Sequence, residues 1–367
     1  MNEEKLLAVL RLQKSRAIGD VLAKKLIVSV GDEVQIFKER KSTLEKINGI
    51  GTHVTQHLFD QQNLEAALRE REYILKENID YTYFLDQDYP SELHHCIDSP
   101  ILLFKDGNIN LKSDKIISIV GTRNMSAYGR DFCEKLIEEL SIYDPIIVSG
   151  FAYGVDICAH KAALKHNLQT VAVLAHGFET IYPKVHKKFV LPINEHGGFL
   201  TEFWSDEEPL REHFLKRNRI VAGMSKATII IESGSKGGSL VTADIANSYN
   251  KDVFAVPGRA SDIFSKGCNQ LIKKNRAHLL TSAKDIVEML NWDLKKVSNK
   301  SQQQSLFVAL NEEEQLVYDF LHQNGKQGLD TIALACQLPL FSLSSLLLQM
   351  ELKGILKPLP GKMYELS

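Results

Sequence analysis

The chain has 367 residues, of which 44% are apolar and 25% are charged, and its formal net charge is −2. This length and composition are typical of a globular protein with two or three domains, and the charge argues against a surface that coats nucleic acid throughout. Any polyanion must therefore bind at a local patch. No apolar run approaches the ~20 residues of a membrane span, and the start of the chain does not resemble a signal peptide, so we expect no membrane association and a cytoplasmic location.

The sequence indicates neither a metal site nor a cofactor. The five cysteines are scattered and never form Cys-x-x-Cys, which predicts core thiols. The cluster His94-His95-Cys96 lacks a second ligand pair at a useful spacing, so we interpret it as a turn. Neither a Walker loop nor a Gly-x-Gly-x-x-Gly after a strand occurs, so an NTPase and a dinucleotide-dependent oxidoreductase are not supported.

Residues 1–78 are predicted to form a small all-α module of short helices. Its loop Ile47-Asn-Gly-Ile-Gly51 looks like the hairpin of a helix-hairpin-helix or SAM-like module, whose glycine amides can face a DNA phosphate. A turn of this kind also simply joins two packed helices. Both interpretations of the module stay open.

Residues 79–290 are predicted to form an α/β domain, in which residues 81–112 serve as a connecting region. From Lys115 onward, apolar runs rich in β-branched residues alternate with helical patterns. The predicted strands are 116–120, 146–149, 170–174, 199–201, 228–231, 253–256 and 278–280, and the clearest helices are 128–140, 155–166 and 240–249. This alternation predicts a doubly wound, Rossmann-like, mainly parallel sheet with its ligand beyond the carboxyl ends of the strands.

The remaining residues are predicted to form a polar linker, 291–310, and a winged helix, 311–367. The winged helix has helical patterns at 313–323, 331–336 and 342–353, followed by a terminal hairpin. Its third helix has no lysine or arginine before Lys353, and acidic residues outnumber lysines in the whole unit. This charge favours a protein contact over insertion into duplex DNA.

Two segments that flank the strand at 228–231 carry groups suited to anions. Before it, Arg211, Phe214 and Asn218 are spaced i, i+3 and i+7 on one helical face, with Arg217 at the border. A guanidinium beside an aromatic ring suits a phosphate next to a base. After the strand comes the Gly-rich loop 234–239, in which Lys236 adds a charge.

In that loop, two consecutive glycines allow a tight turn before the next helix. We expect Ser239 to cap this helix and to leave its first N–H groups pointing at an anion. A third segment suited to anions lies upstream, where the first strand of the α/β domain ends in Gly121, Thr122 and Arg123. Taken singly, the arginines at 217 and 219 could be solvated helix charges and the loop an ordinary connection. The three segments together favour an anion-binding site.

An ordered set of motifs resembles the DNA-processing protein A family, DprA, also called Smf. The motifs are Ile119-Val-Gly-Thr-Arg123, Ser149-Gly-Phe-Ala-Tyr-Gly-Val-Asp156, Tyr182-Pro183, Thr201-Glu202, Phe214-Leu-Lys-Arg-Asn-Arg219, Gly237-Gly-Ser-Leu-Val-Thr-Ala243 and Ala255-Val-Pro-Gly258. The match is dense over residues 81–285 and looser toward both ends. Two departures stand out: Tyr153 replaces an arginine frequent in the family, and Lys274-Asn-Arg-Ala277 replaces the usual Asp-Gly-Ala.

The resemblance implies a bacterial protein that binds incoming single-stranded DNA without sequence preference, protects it and loads the RecA recombinase onto it during natural transformation. It implies a homodimer formed through the Rossmann-like domain, no catalysis, and a single-strand-binding protein as a further partner. Nine residues are implied for DNA binding: Gly121, Thr122, Arg123, Arg211, Phe214, Arg217, Asn218 and, more weakly, Lys236 and Ser239.

Two other hypotheses compete with strand binding. A Gly-rich α/β pocket could belong to an enzyme acting on a nucleotide or nucleoside phosphate, with Glu202 or the pair Asp156 and His160 as acid and base. Such an enzyme should respond to a mononucleotide, whereas a strand binder needs an oligonucleotide. A duplex-binding regulator acting through the winged helix is the second alternative, and the acidic balance of that unit counts against it.

Overall fold

The computed structural model describes residues 1–292, 310–353, 355–359 and 361–366. The chain divides into two compact units, Met1–Leu294 and Lys295–Ser367. Most of the linker predicted over 291–310 lies outside the described residues. Trp292 is buried against the α/β core, so the packed part of the first unit extends slightly beyond the predicted boundary at 290.

Six helices open the first unit: α1 Glu3–Lys14, α2 Asp20–Val30, α3 Glu33–Ile36, α4 Lys41–Leu44, α5 Thr52–Leu58 and α6 Gln61–Lys76. Side chains of Asn2, Asp32 and Asp60 accept backbone N–H groups at three of their starts, which is the usual way to satisfy these donors. In the predicted hairpin loop, Gly49 has a φ of +92° and Gly51 is the N-cap of α5. The apolar faces of these helices share one core with the sheet, so the module is part of the first unit.

The described residues of the first unit form a nine-stranded sheet with helices on both faces. Its strands are β1 Asp80–Tyr83, β2 Leu102–Gly107, β3 Ile116–Val120, β4 Ile146–Ser149, β5 Thr170–Val173, β6 Gly197–Thr201, β7 Ala227–Ile230, β8 Asp252–Ala255 and β9 His278–Leu279. Its helices are α7 Ser91–His94, α8 Ala127–Leu140, α9 Val155–Lys165, α10 Val190–Glu195, α11 Arg211–Gly223, α12 Gly238–Ser248, α13 Lys266–Lys273 and α14 Ala283–Met289. Seven of the strands run parallel, as predicted from the alternation of strands and helices.

The interpretation of residues 81–112 as a mere connection was wrong. This region contributes β1 and β2, which pair with each other and, through β2, with β6, all antiparallel. Neither strand shows the β-branched run that marked the parallel strands, since β1 is Asp-Tyr-Thr-Tyr and the second half of β2 is Lys-Asp-Gly. Tertiary pairing at the edge of the sheet decides their conformation.

The strand order is β1-β2-β6-β5-β4-β3-β7-β8-β9. The chain builds outward from β3 through β4, β5 and β6, and then returns to the other side of β3 with β7. The carboxyl ends of β3 and β7 therefore meet at the topological switch point, where doubly wound sheets bind ligands. Along β3, Ile116 and Val120 face one core while Ile117 and Ile119 face the other, which fixes the sheet between two helical layers.

The second unit has the arrangement of a winged helix. It comprises α15 Glu312–Asn324, β10 Gln327–Gly328, α16 Leu329–Cys336, α17 Leu340–Leu352, β11 Leu356–Leu359 and β12 Met363–Leu366, with the strands in the order β10-β12-β11. Val317, Leu321, Ile332, Leu343 and Leu347 form its core. The predicted fold class, including this domain, is confirmed.

No single described helix has both the length and the apolarity needed to cross a bilayer. Only α16 and the part of α17 up to Glu351 do so together, as a pair bent by 108°.

Candidate functional site

A cleft of about 680 Å³ opens at the switch point of the sheet. It is bounded by the loop after β3, the loop after β4, the exposed side of α11 and the Gly-rich loop after β7. All nine residues predicted as a binding site line it: Gly121, Thr122, Arg123, Arg211, Phe214, Arg217, Asn218, Lys236 and Ser239. Residues as far apart in the sequence as Gly121 and Ser239 thus converge on one concave surface.

The loop after β3 is held by its neighbours in the sheet. The amide of Thr122 donates to the carbonyl of Glu232 at 2.8 Å, and a Cβ at Gly121 would lie 2.4 Å from the Val155 side chain, so only glycine fits there. The carboxylate of Glu232 accepts the amide and the hydroxyl of Ser126, which itself caps α8. This anchoring fixes the backbone on which Arg123 stands.

Arg217 forms the floor of the cleft. It is only 4% exposed, and its guanidinium donates to the carbonyls of Gly150, at 2.7 Å, and Val173. A Cβ at Gly150 would meet the same guanidinium at 2.5 Å, so the glycine provides the space. Burial lowers the pKa of Arg217 to about 10, opposed by the nearby Asp156 carboxylate, so the side chain stays charged at neutral pH. Its hydrogen bonds hold the protein's own backbone, and its guanidinium carbon also lies 5.9 Å from the centre of the Phe214 ring.

Phe214 and Arg123 meet across the cleft from α11 and the loop after β3. The guanidinium carbon of Arg123 lies 5.3 Å from the centre of the Phe214 ring, within cation–π range. Phe214 is half-buried, while Arg123 and Arg211 are exposed. The structure therefore places a cation beside an aromatic ring, as predicted. The cation closest to the Phe214 ring is Arg123, which belongs to the loop after β3 and not to α11.

The Gly-rich loop differs from the prediction in its capping. Gly237, not Ser239, is the N-cap of α12, and no described side chain caps that helix. Ser239 lies inside the first turn, buried, and its hydroxyl donates to the Ser233 hydroxyl at 2.9 Å. The expectation that Ser239 caps the helix was wrong, because its hydroxyl turns inward to the preceding strand end. Lys236 stands exposed at the tip of the loop.

Three cations at the cleft are not neutralised by the protein. Among the described residues, no acidic side chain forms an ion pair with Arg123, Arg211 or Lys236, whereas neighbouring cations of α11 are paired. Together with the charged floor residue Arg217, they outweigh Asp156, the acidic residue that lines the cleft. The cleft therefore attracts anions.

The candidate acids of the enzyme hypothesis do not form a catalytic pair. Glu202 is buried outside the cleft, where Arg219 and Lys216 pair with it. Asp156 accepts the amide of Ala152 at 3.3 Å, while His160 bonds the Thr170 hydroxyl at 2.7 Å. Burial lowers the pKa of His160 to about 3 and raises that of Asp156. The two side chains each make a separate structural contact.

Sequence reasoning did not assign Gly150 or Glu232 to the site, and it placed Asp156 there only under the enzyme hypothesis. Gly150 and Asp156 belong to a motif quoted for the family resemblance, but their place at the cleft depends on β4 lying next to β3. Glu232 could have been suspected, because it is a carboxylate directly after an apolar strand. Tyr153, the departure from the family pattern, is 42% exposed and contacts the His186 ring edge-on at 5.1 Å.

Two family models match the chain. The model described as DNA recombination-mediator protein A matches residues 80–291, which include the whole cleft. The model described as DprA winged helix domain matches residues 304–362.

Individual relatives agree with these models. The chain is 39% identical to the DNA processing protein DprA of Streptococcus pneumoniae over 55% of this chain and 71% of that protein. It is 34% identical to protein Smf of Escherichia coli over 74% of each chain. The crystal structure of the S. pneumoniae protein covers 78% of this chain and 98% of its own, with a TM-score of 0.66 at 31% identity.

A second solved structure bears on the cleft. It is that of DNA processing protein A from Helicobacter pylori, described for its unique single-stranded DNA binding mode. It is 30% identical and covers 58% of this chain and 96% of its own, with a TM-score of 0.53.

Proposed function

This chain belongs to the DNA recombination-mediator protein A (DprA/Smf) family, and on that premise we propose that it binds single-stranded DNA without sequence preference in the cleft at the switch point. The observation that carries the proposal is the contact of Arg123 with Phe214 in a cleft whose exposed cations pair with no acidic side chain that the structure describes. Arginine attracts the phosphate, and the ring offers a stacking surface that any base can use.

The cleft is better suited to one strand than to a duplex. Its volume of about 680 Å³ suits a splayed nucleotide, whose base must leave the stack to reach Phe214. Paired bases of a duplex keep their faces covered by their neighbours. The H. pylori relative, described for single-stranded DNA binding, supports this choice of ligand.

The function extends to protecting the strand and loading the RecA recombinase onto it during DNA uptake and recombination. This part of the proposal rests on family membership. The protein acts as a homodimer through its Rossmann-like domain, because few cations line each cleft and two subunits engaging one strand raise the overall affinity. Its role is that of a binding protein and not of an enzyme, with a single-strand-binding protein as a further partner.

The test is a salt titration of binding to a fluorescent oligonucleotide, with single-stranded and duplex forms side by side. We expect a preference for the single strand that weakens with salt and is reduced in Arg123→Ala. The matched control is Arg69→Ala, which removes an exposed arginine of α6 that does not line the cleft. Equal affinity for both forms, or an equal loss in both variants, would remove the cleft from the proposal.

A mononucleotide arm separates strand binding from the enzyme alternative. Stabilisation or turnover of a mononucleotide, without oligonucleotide binding, would favour a nucleotide enzyme. RecA loading is tested separately by adding the protein to RecA and strands coated with single-strand-binding protein. An unchanged rate of RecA filament formation would refute the loading role.

A further inference from the structure

Tyr182 extends the aromatic surface of the cleft beyond the residues that line it. Its ring centre lies 5.7 Å from that of Phe214, at an interplanar angle of 68°. The side chain is 37% exposed, which is high for a large ring that contacts a neighbour. It enters from the segment after β5, which supplies none of the nine predicted site residues.

A hydrogen bond to the His176 side chain fixes the backbone of Tyr182. The Tyr182 amide donates to Nε2 of His176 at 3.3 Å, and the other ring nitrogen, Nδ1, bonds the Gly177 carbonyl at 2.8 Å. Burial lowers the pKa of His176, so the imidazole is neutral and Nε2 can accept. The Thr201 hydroxyl donates to the His176 carbonyl, which fixes this support to the end of β6. The exposed ring therefore stands on an ordered backbone.

The angle between the two rings makes them separate platforms. A base that lies flat on Phe214 is steeply inclined to Tyr182 and cannot stack on both. We propose that Tyr182 is a second base-stacking residue, which receives the nucleotide next to the one on Phe214. The inference rests on the proposed strand binding and lengthens its footprint by one nucleotide.

The surface beyond Tyr182 is suited to the continuing phosphate backbone. A short 3-10 turn, Lys184–Phe189, follows directly and exposes Lys187 and Lys188. In the described parts of the chain, neither lysine forms an ion pair, and Nζ of Lys188 lies 5.2 Å from the centre of the Phe189 ring, so both charges are available to a phosphate that reaches this turn. His186 of the same turn is buried and contacts the ring of Tyr153, which ties the turn to the loop after β4.

The simpler role for Tyr182 is to buttress the edge of Phe214. The two roles differ in how the effect of a substitution depends on strand length. A buttress would matter for every strand that reaches Phe214. A second platform would matter only for strands long enough to reach it.

The experiment measures the affinity of wild type, Tyr182→Ala and Tyr182→Phe for oligothymidylates of increasing length. Ile142→Ala, which removes an exposed apolar side chain outside the cleft, is the surface control. We expect Tyr182→Ala to match wild type on the shortest strands and to bind longer ones about fivefold more weakly, the lower end of stacking on one base. Tyr182→Phe keeps the ring and should bind like wild type.

The inference is overturned if Tyr182→Ala binds every length like wild type, or is weakened equally at all lengths. It is also overturned if Tyr182→Phe loses as much as the alanine variant, since the hydroxyl and not the ring would then matter. Failure of wild type to bind any single strand would overturn both the inference and the proposed function. Binding that is lost in Arg123→Ala but unaffected by Tyr182→Ala would overturn the inference alone.

Discussion

Arg123 and Arg217 line one cleft, yet their removal should have different consequences. Arg123 is exposed and pairs with no described acidic side chain, so its replacement by alanine should remove the proposed phosphate contact and leave the fold intact. Arg217 is buried and supports the loop after β4 and the end of β5 through two carbonyl bonds. Its replacement removes the floor of the cleft.

The magnitudes follow from these environments. For Arg123→Ala we expect a loss of about 1 kcal/mol in strand affinity, typical of an exposed charge contact, and a salt slope smaller by about 0.7, the value for one phosphate on a single strand. Arg217→Ala leaves two carbonyls without a donor and Asp156 without its nearby cation. Leaving a buried carbonyl without its donor costs about 1–3 kcal/mol of folding stability for each such group.

Two measurements on each variant separate the effects. Urea unfolding reports stability, and a salt titration of oligonucleotide binding reports the number of phosphate contacts. Arg123→Ala should unfold like wild type but bind with the smaller slope. Arg217→Ala should unfold at clearly lower urea, and Arg217→Lys, which keeps a charge without the planar fork, should fall between.

The opposite pattern would refute this reasoning. If Arg217→Ala kept wild-type stability and lost one phosphate from its slope, the guanidinium would be a DNA contact and not a structural one. If Arg123→Ala were destabilised, its effect on binding could not be assigned to charge. Arg69→Ala controls for the removal of one positive charge from the protein.

Three further substitutions test other parts of the cleft and its support. Phe214→Ala should lose about 1–3 kcal/mol of strand affinity with an unchanged salt slope, and a slope smaller by one phosphate would contradict stacking. Gly150→Ala places a Cβ 2.5 Å from the Arg217 guanidinium, so urea unfolding should show a loss of about 1–3 kcal/mol in folding stability. Wild-type stability would mean that the Arg217 side chain can move away from the new Cβ. The pKa of His160 is about 3 in the folded protein and near 6.5 in the unfolded chain. Between these pH values the unfolded state binds one more proton than the folded state. The free energy of unfolding should therefore fall as the pH drops from 6.5 toward 3, by up to ~1.4 kcal/mol per pH unit. His160→Asn should lower that slope, and an identical pH profile would show that other groups cause it.

Secondary structure could be predicted where the local signal was strong. The parallel strands lie within two residues of their predicted ends, because a strand covered on both faces needs a continuous apolar run that is visible in the sequence. β1 and β2 could not be found in this way, since both carry polar residues and their conformation depends on pairing with each other and, for β2, with β6. The cap of α12 was misassigned because a serine after two glycines can turn to the helix or to the preceding strand, and local sequence does not choose.

The amino-acid sequence by itself determined the alternation of strands and helices, the family, and the set of nine residues that line the cleft. These depend on residue type, order and period, which are properties of the chain. Only the tertiary structure decided that Arg217 is buried, that Arg123 meets Phe214, and that Glu232 anchors the loop after β3. Burial and contact arise when distant segments pack, and a helical period shows which residues share a face but not which neighbour covers it.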